Sequence, residues 1–264
     1  MPSDMPELPD VEGFRRVLAE HSNGERVRRV RVRDAGVIRD ASPRRLDRAV
    51  RGRRFRSPRR HGKWLIAPTE GGPTVLLHFG MTGSLSWHDK EEPEHRHDRV
   101  VFELGGGELR YRDMRKLQGV RLAGDAADID RALGELGPDA LDISRKRFDE
   151  LVLTRRGRLK SALTDQTVIA GLGNLLADEI CWQAKINPTR PARDLDDAER
   201  ARLYRAMRRV LRESVKDERV PPRRRWLTGA RDEPGAICPR CDTSLARSRV
   251  GGRATLWCPR CQPD

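Results

Sequence analysis

The sequence predicts an α+β protein: a leading helix, a strand-rich first domain, a helical second domain and a short cysteine-bearing module. Three observations carry that expectation. Strand-like runs separated by polar turns fill the first half of the chain, helical periodicity takes over from Ser144, and four of the five cysteines form two C-x-x-C pairs after residue 237. A length of 264 residues with 36% hydrophobic content suits two modest domains with an appendage.

The leading helix is read from Val11, Phe14, Leu18 and His21, which recur at helical spacing. Pro9 suits its first turn, where the backbone N–H has no intrahelical partner. From Glu25 to Arg33, Val27, Val30 and Val32 stand among arginines, as in a strand with one wet, basic face. Further strands are expected at Trp64-Leu65-Ile66, at residues 75–79 and at residues 84–87. Arg99–Leu104 and Glu108–Tyr111 flank Gly105-Gly106-Gly107 and read as a hairpin; no Lys-Ser/Thr follows those glycines, so they make a turn and not a phosphate loop. Closely spaced strands of this kind predict a β-sandwich or barrel-like domain over residues 1–135. Helices follow at Lys146–Leu153, Leu159–Gln166, Asn174–Ala184 and Asp196–Lys216, the last with Leu203, Met207, Val210 and Leu211 on one stripe. Gly137-Pro138-Asp139 and the run from Pro221 to Arg225 mark linkers, which bounds a helical domain at 144–220 and a terminal module at 236–264.

Lys and Arg number 54 against 40 Asp and Glu, a net charge of +14 spread along the whole chain. A polyanion, most simply nucleic acid, is the implied partner. No run of about 18 apolar residues and no signal-peptide h-region occurs, so a cytoplasmic protein without membrane contact is expected.

Cys238-x-x-Cys241 and Cys258-x-x-Cys261 predict a closed tetrahedral site for one structural Zn2+, since four thiolates leave no ligand position for water. Cys181, beside Ile180 in a helical run, reads as a buried small hydrophobe. Between the cysteine pairs, Val250–Trp257 reads as a hairpin with Arg253 at a glycine-rich tip, a position suited to a phosphate. Small residues from Gly171 to Gly173 precede the helix at Asn174, where backbone N–H groups could meet an anion such as a DNA phosphate. At the other end, Glu7 is held just before a helix N-terminus. If Met5 were the start and were removed, Pro6 would carry a secondary amine able to attack an aldehyde-like carbon and form an iminium. The plainer alternative is a proline-stiffened lead-in to a surface helix.

Together these motifs resemble the formamidopyrimidine-DNA glycosylase/endonuclease VIII family of base-excision repair enzymes. The resemblance rests on the Pro-Glu-Leu-Pro opening, on residues 60–65, on residues 78–85, on Tyr111-Arg112-Asp113, on the Asp165-Gln166 to Asp178-Glu179 segment and on the zinc hairpin. It implies an N-terminal β-sandwich preceded by a helix, then a helix–two-turn–helix domain with a zinc-finger β-hairpin. It also implies a monomeric, nucleoid-associated glycosylase with AP lyase activity, whose partner is double-stranded DNA containing a damaged base or abasic site. Residue by residue, it assigns Pro6 as nucleophile, Glu7 as acid/base and Lys63 beside the chemistry. His78, Asn174 and Arg253 grip the backbone, while Met81 and Arg115 fill the hole left in the duplex. Where the family has Phe in its wedge motif this chain has Leu117, and Asp10 replaces a usual Glu. The Arg219–Ile237 stretch is shorter than the segment that covers oxidised guanine, so weak 8-oxoguanine activity is expected. Residues 1–4, if retained, would acylate the Pro6 nitrogen, which leaves a catalytically silent damage-binding protein as the alternative; the tail and charge alone would also suit a zinc-ribbon adaptor.

Overall fold

Alternation of apolar and polar side chains folds the strand-rich half into two sheets that share one interior. The computed structural model describes residues 5–22 and 24–263, so residues 1–4, on which the blocked-amine alternative rests, lie outside the described residues. Two compact units make up the chain, one of residues 5–6 and 10–135, the other of residues 7–9 and 136–263.

In the first unit the chain order is α1 (Leu8–Ser22), β1 (Arg29–Val32), β2 (Ile38–Arg39), α2 (Pro43–Val50), β3 (Arg59–His61), β4 (Trp64–Pro68), β5 (Thr74–His78), β6 (Ser84–His88), β7 (Asp98–Glu103), β8 (Glu108–Arg112), β9 (Gly119–Ala123) and α3 (Ala126–Leu133). The strands form a four-stranded sheet ordered β1-β7-β8-β6 and a five-stranded sheet ordered β2-β9-β5-β4-β3. Val30, Leu85, Val100, Phe102 and Tyr111 from one sheet join Leu65, Val75, Leu77 and Val120 from the other in a single core. That is the expected sandwich. Val11 and Leu18 of α1 lie in the same core, and His21 stacks on Trp87 with ring centroids 4.4 Å apart.

Two local readings change. The face of β1 expected to be wet and basic is largely neutralised: Arg31 pairs with Glu94, Glu103 and Glu108, all supplied by later strands or loops. Helix α2 went unread because arginines crowd it and only Leu46 and Val50 are buried, although Ser42 caps it and Pro43 opens it.

The second unit contains α4 (Arg145–Val152), α5 (Leu159–Thr164), α6 (Asn174–Ala184), α7 (Asp197–Lys216), β10 (Ala246–Val250) and β11 (Arg253–Trp257). A capping box of Asp196 and Glu199 starts α7, and the expected stripe of Leu203, Met207, Val210 and Leu211 is buried. Helix α6 is buried nearly all round and carries two acidic residues, Asp178 and Glu179, inside. Cys181 is fully buried, and burial pushes its thiol pKa up, which keeps it an inert hydrophobe. The segments read as linkers are built into the fold instead. Gly137 and Ala140 bond backbone to backbone with Gln166 and Ala170, and Arg223 pairs with Glu213 and Asp217 while its guanidinium lies over Trp226. No helix among the described residues is long and apolar enough to cross a membrane.

Candidate active site and nucleic-acid contacts

The two turns between α5 and α6 are stapled by one side chain. Gln166 donates to the carbonyls of Thr164 and Leu172 and accepts from the Gly171 N–H. Gly171 has φ +110°, and a Cβ there would stand 2.5 Å from Leu8 Cδ1, so only glycine lets residue 8 approach. That approach is fixed by a bond from Leu8 N–H to the Gly171 carbonyl at 3.1 Å. It delivers Glu7, which is 2% exposed, to the start of α6.

There the Glu7 carboxylate accepts from Gly173 N–H at 2.7 Å, Leu175 N–H at 2.8 Å and Leu176 N–H at 3.3 Å. These are otherwise orphan donors at the positive end of a helix, the arrangement that best holds a buried carboxylate. Glu7 does precede α1, as read from the sequence, but its carboxylate is bound by a different helix. The anion expected at Gly171–Asn174 is therefore the protein's own: the amides of 173, 175 and 176 are occupied by Glu7 and do not await a phosphate. Asn174 opens α6, and its buried Oδ1 has no hydrogen-bond partner. Pro6, the residue before Glu7, is buried.

In the first unit, Lys63 sits in the two-residue turn joining β3 to β4, and His78 ends β5 opposite Trp64. The His78 ring packs edge-on against Trp64 at 4.8 Å. Burial, with the charges of Lys63 and Arg121 behind it, pulls the His78 pKa down to about 4, so the ring is neutral at physiological pH. Its Nδ1 accepts from Gly80 N–H at 3.0 Å, which puts the proton on Nε2 as a donor. His78 thus offers a directed N–H rather than a charge.

Met81 and Arg115 come together although they lie on different connections: Arg115 donates to the Met81 sulfur at 3.0 Å. The loop from Asp113 to Gln118 that carries Arg115 is braced from below. Buried Asp113 accepts from the Thr82 hydroxyl at 2.7 Å and from Arg115 N–H at 3.0 Å, while Arg99 donates to its carbonyl at 2.8 Å. At the far end, Arg39 donates to the carbonyls of Lys116 and Gln118. Leu117 stands 49% exposed on this loop, and so does Met114 at 53%. Met114 is not legible in the sequence, because nothing in its neighbours marks an exposed methionine. Nor is Thr82, whose bond to Asp113 links residues 31 apart.

The four thiolates of Cys238, Cys241, Cys258 and Cys261 lie within 4.8 Å of one another. Sulfurs 3.3 to 3.9 Å apart in three of the pairs match the edges of about 3.8 Å that Zn–S bonds of about 2.3 Å require of a tetrahedron. The set fits one structural Zn2+. Backbone N–H groups of Arg240 and Cys261 and the Trp182 indole point at these sulfurs, as they do toward bound thiolates. The hairpin β10–β11 turns at Gly251 and Gly252, with φ of +57° and +76°, the turn that suits the twist of paired strands. Arg253 emerges exposed directly after it.

Comparison with known proteins follows the same division. Residues 5–120 match the formamidopyrimidine-DNA glycosylase N-terminal domain, residues 136–221 the formamidopyrimidine-DNA glycosylase H2TH domain, and residues 237–263 the zinc finger found in FPG and IleRS. A formamidopyrimidine-DNA glycosylase of Pelotomaculum thermopropionicum is 35% identical, covering 98% of this chain and 99% of its own. Two structures of the Lactococcus lactis enzyme superpose over 98% of this chain and all of theirs at 25% identity. One is a complex with DNA containing an abasic site, at a TM-score of 0.87, and the other a complex with DNA containing an oxidised pyrimidine, at 0.88. Zinc hairpin, helix–two-turn–helix segment and helix-led sandwich thus recur together, and the chain belongs to the formamidopyrimidine-DNA glycosylase family.

Proposed function

We propose that the protein is a bifunctional DNA glycosylase/AP lyase, acting on a damaged base flipped from duplex DNA through an N-terminal Pro6. The Pro6 lone pair attacks C1′ as the glycosidic bond breaks and the base leaves with a proton. Opening of the sugar ring breaks C1′–O4′, takes a proton at O4′ and leaves an iminium. Loss of a C2′ proton then expels the 3′ phosphate. Glu7 serves the proton transfers, Lys63 acts beside the chemistry, and His78, Asn174 and Arg253 hold the backbone. Met81, Arg115 and Leu117 replace the extruded nucleotide, offsetting a few kcal/mol of unstacking.

The observation that carries this reading is Glu7, a buried carboxylate bound by three backbone amides immediately after Pro6. A surface lead-in would have no reason to bury a carboxylate so. Zinc enters as structure alone: all four cysteine ligands close its coordination shell, and it orders the hairpin that bears Arg253.

Borohydride trapping on a duplex with one abasic site tests the nucleophile, with intact mass verifying each N-terminus. Protein beginning at Pro6 should trap, whereas an amide nitrogen at Pro6 should abolish the adduct. If the chain beginning at Met1 traps equally well with its first residues retained, Pro6 is not the nucleophile. On substrate, single-turnover strand cleavage should be slower for 8-oxoguanine than for oxidised pyrimidines or abasic sites. The motive is the short Arg219–Ile237 segment together with Leu117, and 8-oxoguanine as the fastest substrate would refute it.

A further inference from the structure

A carboxylate and two cations lie against the zinc hairpin, with the carboxylate on α6, the helix whose first amides bind Glu7. Lys160 of α5 and Asp178 of α6 are both fully buried, with Nζ 2.6 Å from Oδ1. Arg231 reaches the other oxygen of Asp178 at 2.6 Å. All three grip the same edge of β11: Lys160 donates to the Ala254 carbonyl at 2.7 Å, Arg231 to the same carbonyl at 3.4 Å, and Asp178 accepts from Leu256 N–H at 3.3 Å. Ala254 is the residue after Arg253, and residues 254 and 256 present their backbone groups on one side of a strand. The opposite edge of β11 is taken by β10, with Val250 opposite Arg253. A Cβ on Gly251 would meet Ser161 Oγ at 3.0 Å, so the tip also lies against α5.

Stability does not explain this choice. A buried ion pair seldom outdoes apolar residues of equal volume, and its best-attested use is to fix register. A two-stranded hairpin is marginal on its own even with a tight turn, and a slip of one residue would turn Arg253 to the other face. We infer that Asp178, held between Lys160 and Arg231, is a positioning residue for Arg253, setting the strand register that aims this guanidinium at a DNA phosphate. The inference rests on the reading of Arg253 as a phosphate contact.

The test is binding of a duplex with a tetrahydrofuran abasic analogue over a range of salt, by the wild type, Asp178→Asn, Arg253→Ala and the double variant, with zinc measured in each. Asp178→Asn should retain one zinc per chain, lose about as much affinity as Arg253→Ala, and flatten the salt dependence by about one phosphate contact. The double variant should bind no more weakly than Arg253→Ala alone. A purely structural role would lower the unfolding midpoint and leave the salt slope untouched, which overturns the inference; so would additive losses in the double variant. Arg253→Ala binding like the wild type would instead overturn the reading of Arg253, and the inference with it. Should Asp178→Asn fail to fold, Arg231→Gln keeps the Lys160–Asp178 pair and is expected to show a smaller loss that vanishes in the Arg253→Ala background; additivity there overturns the inference equally.

Discussion

A loop of the first unit and the hairpin of the second each carry an exposed arginine, and the two are supported by opposite means. Arg115 rides a six-residue loop with no metal, braced by hydrogen bonds from Asp113 at one end and Arg39 at the other, with Met114 and Leu117 exposed beside it. Arg253 follows a two-residue glycine turn with no apolar side chain at its tip, on strands fixed by four thiolates and a buried set of charges. The difference matches the proposed tasks. Entering a base stack needs apolar bulk and directed donors on a loop wide enough to carry both. Meeting a phosphate needs one charge at one place, so the support can be narrow provided that it is rigid.

The strongest way to break the comparison is to remove the metal. Cys258→Ser should release zinc and disorder residues 246–257, because structural sites of this kind contribute on the order of 10 kcal/mol to folding. DNA affinity should then fall further than for any single arginine substitution, while the loop bearing Arg115 stays protected from hydrogen exchange. Unchanged affinity with zinc absent would end the case for the hairpin as a DNA contact. On the other side, Asp113→Ala removes the acceptor of the Thr82 hydroxyl and one of the two acceptors of the Arg115 amide, at a cost of about 1–3 kcal/mol. It should abolish opposite-base discrimination as fully as Arg115→Ala does, with zinc retained. Persistent discrimination would mean that the loop holds its shape without the carboxylate.

A finer test separates base from phosphate. Arg253→Ala should weaken binding across all sequences and make the salt slope shallower by about one. Arg115→Ala should change the preference for the base opposite the lesion and leave that slope nearly as it was. Equal slopes for the two variants would remove the distinction between the tips.

What could be read from the sequence was local. The apolar stripe of α7, the cysteine spacing and the glycine turn between β7 and β8 each declare themselves within some twenty residues, and the structure has all three. What could not be read was pairing across the chain. Glu7 precedes a helix in sequence, yet its partners lie 166 to 169 residues away, and that one fact makes the amides of 173, 175 and 176 a carboxylate site and not a phosphate site. Arg31 looked solvated because Glu94, Glu103 and Glu108 stand more than sixty residues downstream. The same blindness hid Lys160, an ordinary basic residue in sequence and fully buried in the fold.

The smallest expected effect comes from two titrating groups, one in each unit, whose signs oppose. His78 in the first unit has its pKa pulled from 6.5 to about 4, chiefly by burial. Between those values the unfolded chain binds the proton and the folded one does not, so stability rises with pH across that window. Glu179 in the second is pushed by burial from 4.5 to about 7, even though Gln183 and Thr228 N–H donate to it. There the folded chain holds the extra proton, so its contribution is full below pH 4.5 and is lost as pH rises through 7. Each group contributes at most about 1.4 kcal/mol per pH unit, and between pH 4.5 and 6.5 the two nearly cancel. Glu179→Gln removes one side of that balance. Its unfolding free energy should therefore climb more steeply with pH than that of the wild type over this range, as urea melts at half-unit steps would read. Parallel curves would show that Glu179 ionises normally and that the two units do not differ in this respect.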